Sequence, residues 1–107
     1  YLLPGALACW SPVMEAVVAF ARGGGYVWGI GNGFQILCEA RLLPGALLRN
    51  DGLRFLHQNV SLKVTTNNSA ITANADQAMP VKLPIAHGYG RYYAAEEVLE
   101  DLKALVK

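Results

Sequence analysis

Charge is scarce in this sequence: 16% of its 107 residues are charged, against 53% hydrophobic. Nine basic residues against eight acidic ones leave a net charge of +1, so neither sign accumulates. Nucleic-acid binding needs a basic surface that neutralises phosphates, so no nucleic-acid partner is expected. Cysteine and histidine are equally sparse, with Cys9, Cys38, His57 and His87 the full complement. That excludes a disulfide framework and a Cys/His metal cluster, and no metal or cofactor is expected. Gly, Pro or Glu interrupts every apolar stretch well short of the ~20 residues of a bilayer span. No transmembrane helix and no membrane partner is therefore expected. Tyr1 is not an initiator Met, and no basic segment precedes an apolar run, so no signal peptide is expected either. Reduced cysteines complete the expectation of a cytoplasmic setting.

What remains is apolar material for a single domain of ordinary length, and intrinsic disorder is excluded as the overall state. A core of this size is marginal, so part of the apolar surface calls for cover from more chain or another subunit.

Residues 1–10 read as a leading loop through Leu2-Leu3-Pro4-Gly5. Ser11-Pro12 then signals a helix start: a hydroxyl at the N-cap, Pro at the first helical position, and Glu15 in the first turn. Val13, Ala16, Val17 and Phe20 share one face, and Gly23-Gly24-Gly25 stops the helix. Tyr26-Val27-Trp28-Gly29-Ile30 is a short apolar run of the kind expected for a parallel strand covered on both faces. Gly31-Asn32-Gly33 turns the chain, and Phe34 to Leu43 has helical composition until Pro44-Gly45. Strand, Gly-rich turn and helix form an α/β unit. From Phe55 to Val64, Leu56, Val60, Leu62 and Val64 alternate with polar residues, and Gln58 breaks the pattern. Thr65 to Gln77 is a polar loop. Val81, Leu83 and Ile85 resume the alternation, with Pro80 and Pro84 marking an edge strand. His87-Gly88-Tyr89-Gly90 is a turn. Glu96 to Val106 is an amphipathic helix with Val98, Leu99, Leu102, Leu105 and Val106 on one stripe. The hexapeptide Leu-Leu-Pro-Gly-Ala-Leu occurs at 2–7 and 42–47; its flanks do not match, so it reads as two similar loops.

Gly29-x-Gly31-x-Gly33 carries most of the functional information. Between a strand and a helix it leaves backbone N–H groups free at a helix N-terminus, which suits an anion. One reading is a nucleotide-binding α/β module, although the third glycine arrives one residue too early for G-x-G-x-x-G. The other is a nucleophile elbow, G-x-Nuc-x-G, with Gly31 where the nucleophile belongs.

Gly29-Ile30-Gly31-Asn32-Gly33-Phe34-Gln35-Ile36-Leu37-Cys38-Glu39-Ala40 resembles G-I-C-N-G-F-Q-I-L-x-E-A. That signature belongs to the glutamine amidotransferase subunits of phosphoribosylformylglycinamidine synthases, within the class I glutamine amidotransferase family. Further stretches resemble family motifs in the same order: residues 11–16, 42–50, 52–55 and 84–93. The resemblance implies a three-layer, flavodoxin-like α/β fold, of which this chain supplies the middle portion. The family's first strands and oxyanion loop are expected before Tyr1, and its His-Pro-Glu segment after Lys107. The implied activity is glutamine hydrolysis supplying ammonia for de novo purine biosynthesis. The implied partners are a synthetase subunit and a small third subunit, with glutamine as ligand.

The departures shape the expected chemistry. Glutamine hydrolysis needs a thiolate, proton-transfer groups and donors for the oxyanion. Gly31 stands at the nucleophile position and has no side chain, so a catalytically incompetent form is expected. By resemblance, the Asn32 N–H is an oxyanion donor, and Gly33 and Gln35 belong to the glutamine pocket. His87 and Tyr89 are candidate pocket-lining residues, with Tyr89 a neutral phenol where the family's H-G-E-G turn has a carboxylate. Cys38 lies about two helical turns, ~10 Å, beyond Gly31. Both Cys38 and Cys9 read as structural thiols. The alternative is a non-catalytic binding or structural subunit.

Overall fold

A computed structural model describes residues 2–105. Tyr1 and Val106 lie outside the described residues, as does the side chain of Leu105. The chain is mixed α/β and divides into two compact units. One runs to Leu48 and includes Arg91–Ala95; the other comprises Arg49–Gly90 and the chain from Glu96 onward.

The first unit begins with α1 (Leu2–Ala8), where a loop was expected. Pro4 is tolerated because it falls in the first turn, where backbone N–H groups have no helical acceptor. Helix α2 (Pro12–Arg22) starts and stops as the sequence predicts, with Ser11 at the N-cap and Gly23 at the C-cap. Gly24 takes the left-handed conformation at φ 91°, and Gly25 N–H reaches back to the Phe20 carbonyl at 2.9 Å. This is a Schellman ending, for which glycine has no Cβ penalty. The packed face of α2 differs from expectation. Met14 is its buried side chain, whereas Val13 and Phe20 are exposed.

Tyr26–Ile30 has no regular secondary structure, which corrects the parallel-strand expectation. A parallel strand is held by hydrogen bonds from a neighbour, and no described strand pairs with this one. Tyr26 is 88% exposed and Trp28 69%. Helix α3 (Asn32–Glu39) follows, shorter than the predicted run to Leu43. Its end is also a Schellman turn. Leu42 N–H bonds the Leu37 carbonyl at 2.9 Å and Arg41 N–H bonds Cys38 at 3.0 Å, with Arg41 at φ 57° in the position glycine usually fills. No Gly or Pro announced this stop, so composition overran it.

Strand β1 (Ala46–Leu48) pairs antiparallel with β4 (Arg91–Tyr93), Leu47 opposite Tyr92. Tyr92 ties the unit together. Its hydroxyl donates to the Pro44 carbonyl at 2.7 Å, and its ring meets Phe34 edge to face at 6.1 Å.

The second unit holds β2 (Leu56–Leu62) and β3 (Val81–His87), an antiparallel pair. Leu56 faces His87, Val60 faces Leu83, and Leu62 faces Val81. Directly opposed residues share a face, so the apolar set gathers on one side and His57, Asn59, Ser61 and Lys82 on the other. Pro84, opposite Asn59, is accommodated because each strand of a two-stranded ladder has an open edge. Residues 65–77 form the expected turns and loop. Helix α4 (Glu96–Leu105) carries Glu96 and Glu97 in its first turn, where negative charge complements the helix dipole. Among the described residues, no single helix is long and apolar enough to cross a membrane.

Candidate functional site

The turn from Gly29 to Gly33 forms a sharp bend into α3. Gly31 is the N-cap at φ 58°, ψ −121°. This ψ lies far from the left-handed region open to other residues, so a side chain here would be strained. Space is not the obstacle, because a Cβ at Gly31 would find nothing within 4 Å. At Gly29 the reverse holds. A Cβ there would stand 2.6 Å from the backbone carbonyl carbon and oxygen of Gly33 and 2.7 Å from a methyl of Leu37. The chain entering the bend therefore lies directly against the first turn of α3. A tip with outward space and a strained conformation, flanked by a glycine pressed on the helix, is the backbone of a nucleophile elbow.

Backbone donors at this helix start are unequally used. Gly33 N–H bonds the Ile30 carbonyl at 2.9 Å, and Phe34 N–H bonds Gly31 at 3.1 Å. Asn32 N–H has no hydrogen bond among the described residues. It is an orphan donor at a helix N-terminus, beside the elbow tip.

Gln35, one turn further, is 5% exposed. Its Nε2 donates to the Leu2 carbonyl at 3.0 Å, and its side chain packs on Gly5, where a Cβ would come within 2.7 Å of the amide carbon. In this arrangement the Gln35 amide anchors α1 on α3, a contact invisible in the sequence while residues 1–10 read as a loop. The two thiols are inward-facing. Cys38 is buried, its Sγ 3.9 Å from the Pro44 carbonyl, and Cys9 Sγ lies 3.9 Å from Ile36. Burial, followed by the nearby Glu39 charge, pushes the Cys38 thiol above its ordinary value. A raised thiol is a poor nucleophile at neutral pH.

His87 and Tyr89 belong to the second unit, so Gly31, Asn32, Gly33 and Gln35 gather in one unit and this pair in the other. The His87–Gly90 turn is built around Asn50, a residue that sequence reasoning passed over. Asn50 is 6% exposed. Its Nδ2 donates to the carbonyls of Arg54 at 2.8 Å and His87 at 3.0 Å. Its Oδ1 accepts from Gly90 N–H at 2.9 Å and lies 3.1 Å from His87 Nδ1. The available hint was its place at the end of the 42–50 stretch that resembles the family, which says nothing of its partners without the fold. Among the described residues no cluster of three or more His, Cys, Asp or Glu side chains is placed to hold a metal ion.

Elbow, orphan donor and surrounding sequence define a class. Residues 5–106 match the CobB/CobQ-like glutamine amidotransferase domain, and the chain belongs to that family. Within it, the chain is similar to phosphoribosylformylglycinamidine synthase subunit PurQ. It is 48% identical to PurQ of Salinibacter ruber over 104 residues, covering 97% of this chain and 44% of that protein. It is 53% identical to PurQ of Thermus thermophilus over 103 residues, covering 96% of this chain and 45% of the relative. A chain in the solved structure of PurLQS from Thermotoga maritima superposes with a TM-score of 0.82 at 38% identity, covering 88% of this chain and 44% of that one. The fold class is thus the α/β class I glutamine amidotransferase fold. The chain spans less than half the length of these relatives.

Proposed function

We propose that this protein is the glutamine amidotransferase subunit of a phosphoribosylformylglycinamidine synthase, in a form that binds glutamine without hydrolysing it. The observation that supports this most is the bend at Gly31. It has the strained dihedrals of an elbow tip and open space outward, with the unused Asn32 N–H beside it.

In the hydrolysis that the resemblance implies, a thiolate attacks the carboxamide carbon and the Asn32 N–H donates to the oxyanion. Protonation of the amide nitrogen lets the adduct collapse to ammonia and a thioester, which water cleaves to glutamate and the free thiol. Gly31 offers no atom to begin this sequence, and Cys38, inward and raised, is no substitute. Gly33 and Gln35 are proposed as parts of the glutamine pocket on the first turn of α3. His87 and Tyr89 are assigned ligand-lining roles on the resemblance alone. The proposed partners are a synthetase subunit and a small third subunit, the synthetase drawing on free ammonia. The setting is cytoplasmic.

Two measurements test this reading. Calorimetric titration with glutamine should give binding, and titration with NAD or ATP none. With the synthetase subunit and its substrates present, ammonium salts should support amidation and glutamine should not. Ammonia release from glutamine by this chain would overturn the incompetence. Binding of NAD or ATP in place of glutamine would favour the nucleotide module.

A further inference from the structure

The orientation of the Asn50 amide is unambiguous. Nδ2 faces two carbonyl oxygens, those of Arg54 and His87, while Oδ1 faces the Gly90 N–H. Rotating the amide by half a turn would set oxygen against oxygen and N–H against N–H, breaking every one of these bonds. Oδ1 is therefore the atom that meets His87 Nδ1 at 3.1 Å, and an amide oxygen can only accept.

We infer that Asn50 is a positioning residue that holds the neutral His87 ring as its Nδ1–H tautomer, leaving the Nε2 lone pair as the ring's acceptor. A free imidazole side chain in water favours hydrogen on Nε2, so the protein reverses the default here. The consequence is chemical. A ring with a bare Nε2 accepts a hydrogen bond from an amide N–H, an ammonium group or a hydroxyl, and repels a carboxylate oxygen.

The surroundings make Asn50 rigid enough for this role. Its backbone N–H bonds Gly88 at 3.0 Å and its carbonyl accepts from Leu53 N–H at 2.9 Å. With the side-chain bonds, every polar atom of this buried residue is engaged, so the amide cannot swing away from the ring. Gly90 contributes by having no side chain, since a Cβ there would collide with the His87 ring. His57 provides an internal reference, being exposed and with a ring that makes no hydrogen bond among the described residues.

Long-range proton–nitrogen NMR of the 15N-labelled chain, at a pH where both histidines are neutral, reads the tautomer directly. His87 should show a pyrrole-type Nδ1 and a pyridine-type Nε2, and His57 the reverse. In Asn50→Ala the His87 pattern should switch to that of His57. Hydrogen on Nε2 of His87 in the unmodified chain would overturn the inference. An unchanged pattern in Asn50→Ala would overturn it equally. If Asn50→Ala does not fold, the unmodified chain alone decides.

Discussion

Gly29 and Gly33 stand in direct backbone apposition: a methyl group on the first would be driven to 2.6 Å from the carbonyl group of the second. The entering chain and the α3 helix can touch at this distance only because residue 29 lacks a Cβ. The same relation makes the two glycines unequal.

Gly29→Ala should destabilise the fold by at least about 1–3 kcal/mol, because the obstacle is backbone, which cannot swing aside as a side chain can. Gly33→Ala should be neutral or stabilising by up to about 1 kcal/mol, since its Cβ would meet nothing and alanine is the better helix former. Urea denaturation of both variants checks the contrast. Equal destabilisation would contradict the bend geometry.

Gly31→Cys should cost about 1–3 kcal/mol through dihedral strain alone. The new thiol would project into open space at a helix N-terminus, which favours the thiolate. It should therefore be alkylated by iodoacetamide faster than Cys38, with mass spectrometry reporting the site.

Two side chains anchor the first unit and can be removed singly. Gln35→Leu deletes the bond to Leu2 and Tyr92→Phe the bond to Pro44, each expected to cost about 0.5–1.5 kcal/mol. Amide exchange should rise in α1 for the first variant and in residues 44–48 for the second. Glutamine titration of Gln35→Leu separates its roles: an unchanged Kd marks an anchor only, a weakened one a pocket residue as well.

Cys38 makes stability depend on alkaline pH. Its folded value is raised, so between its unfolded and folded values the native state holds a proton that the unfolded state has lost. Its contribution is complete below the ordinary thiol value of 9.0 and declines as pH rises beyond it. Cys38→Ala should lose this slope, with denaturation midpoints at pH 7 and at pH 10 as the comparison. A steeper alkaline decline in the variant would contradict the sign.

Patterns of short range were legible in the sequence. The start and stop of α2 rest on Ser11, Pro12 and the glycine run, and the β2–β3 alternation on the two-residue period of a pleated chain. The elbow and its family were legible too, because Gly29, Gly31 and Gly33 answer to backbone geometry at their own positions. The Asn50 network and the Gln35 anchor were not, since each joins residues more than thirty positions apart. Tyr26–Ile30 has the composition of a buried strand, yet strand character depends on a neighbour that composition cannot supply.

The repeated hexapeptide separates the two kinds of information most sharply. Leu2–Leu7 is helical within α1, whereas the identical residues 42–47 form a bend and then enter β1, with Gly45 at φ 85°. Local preference is the same in both copies and so decides neither. The first is held by the Gln35 amide on the Leu2 carbonyl; the second by the Tyr92 hydroxyl on Pro44 and by pairing with β4. Propensities differ by tenths of a kcal/mol per residue, and one or two tertiary hydrogen bonds with their packing outweigh them. The amino-acid order by itself determined the family and the glycine-framed bend at Gly31. Which conformation an ambiguous segment takes, and which way a buried amide points, was decided by the partners that only the folded chain brings within reach.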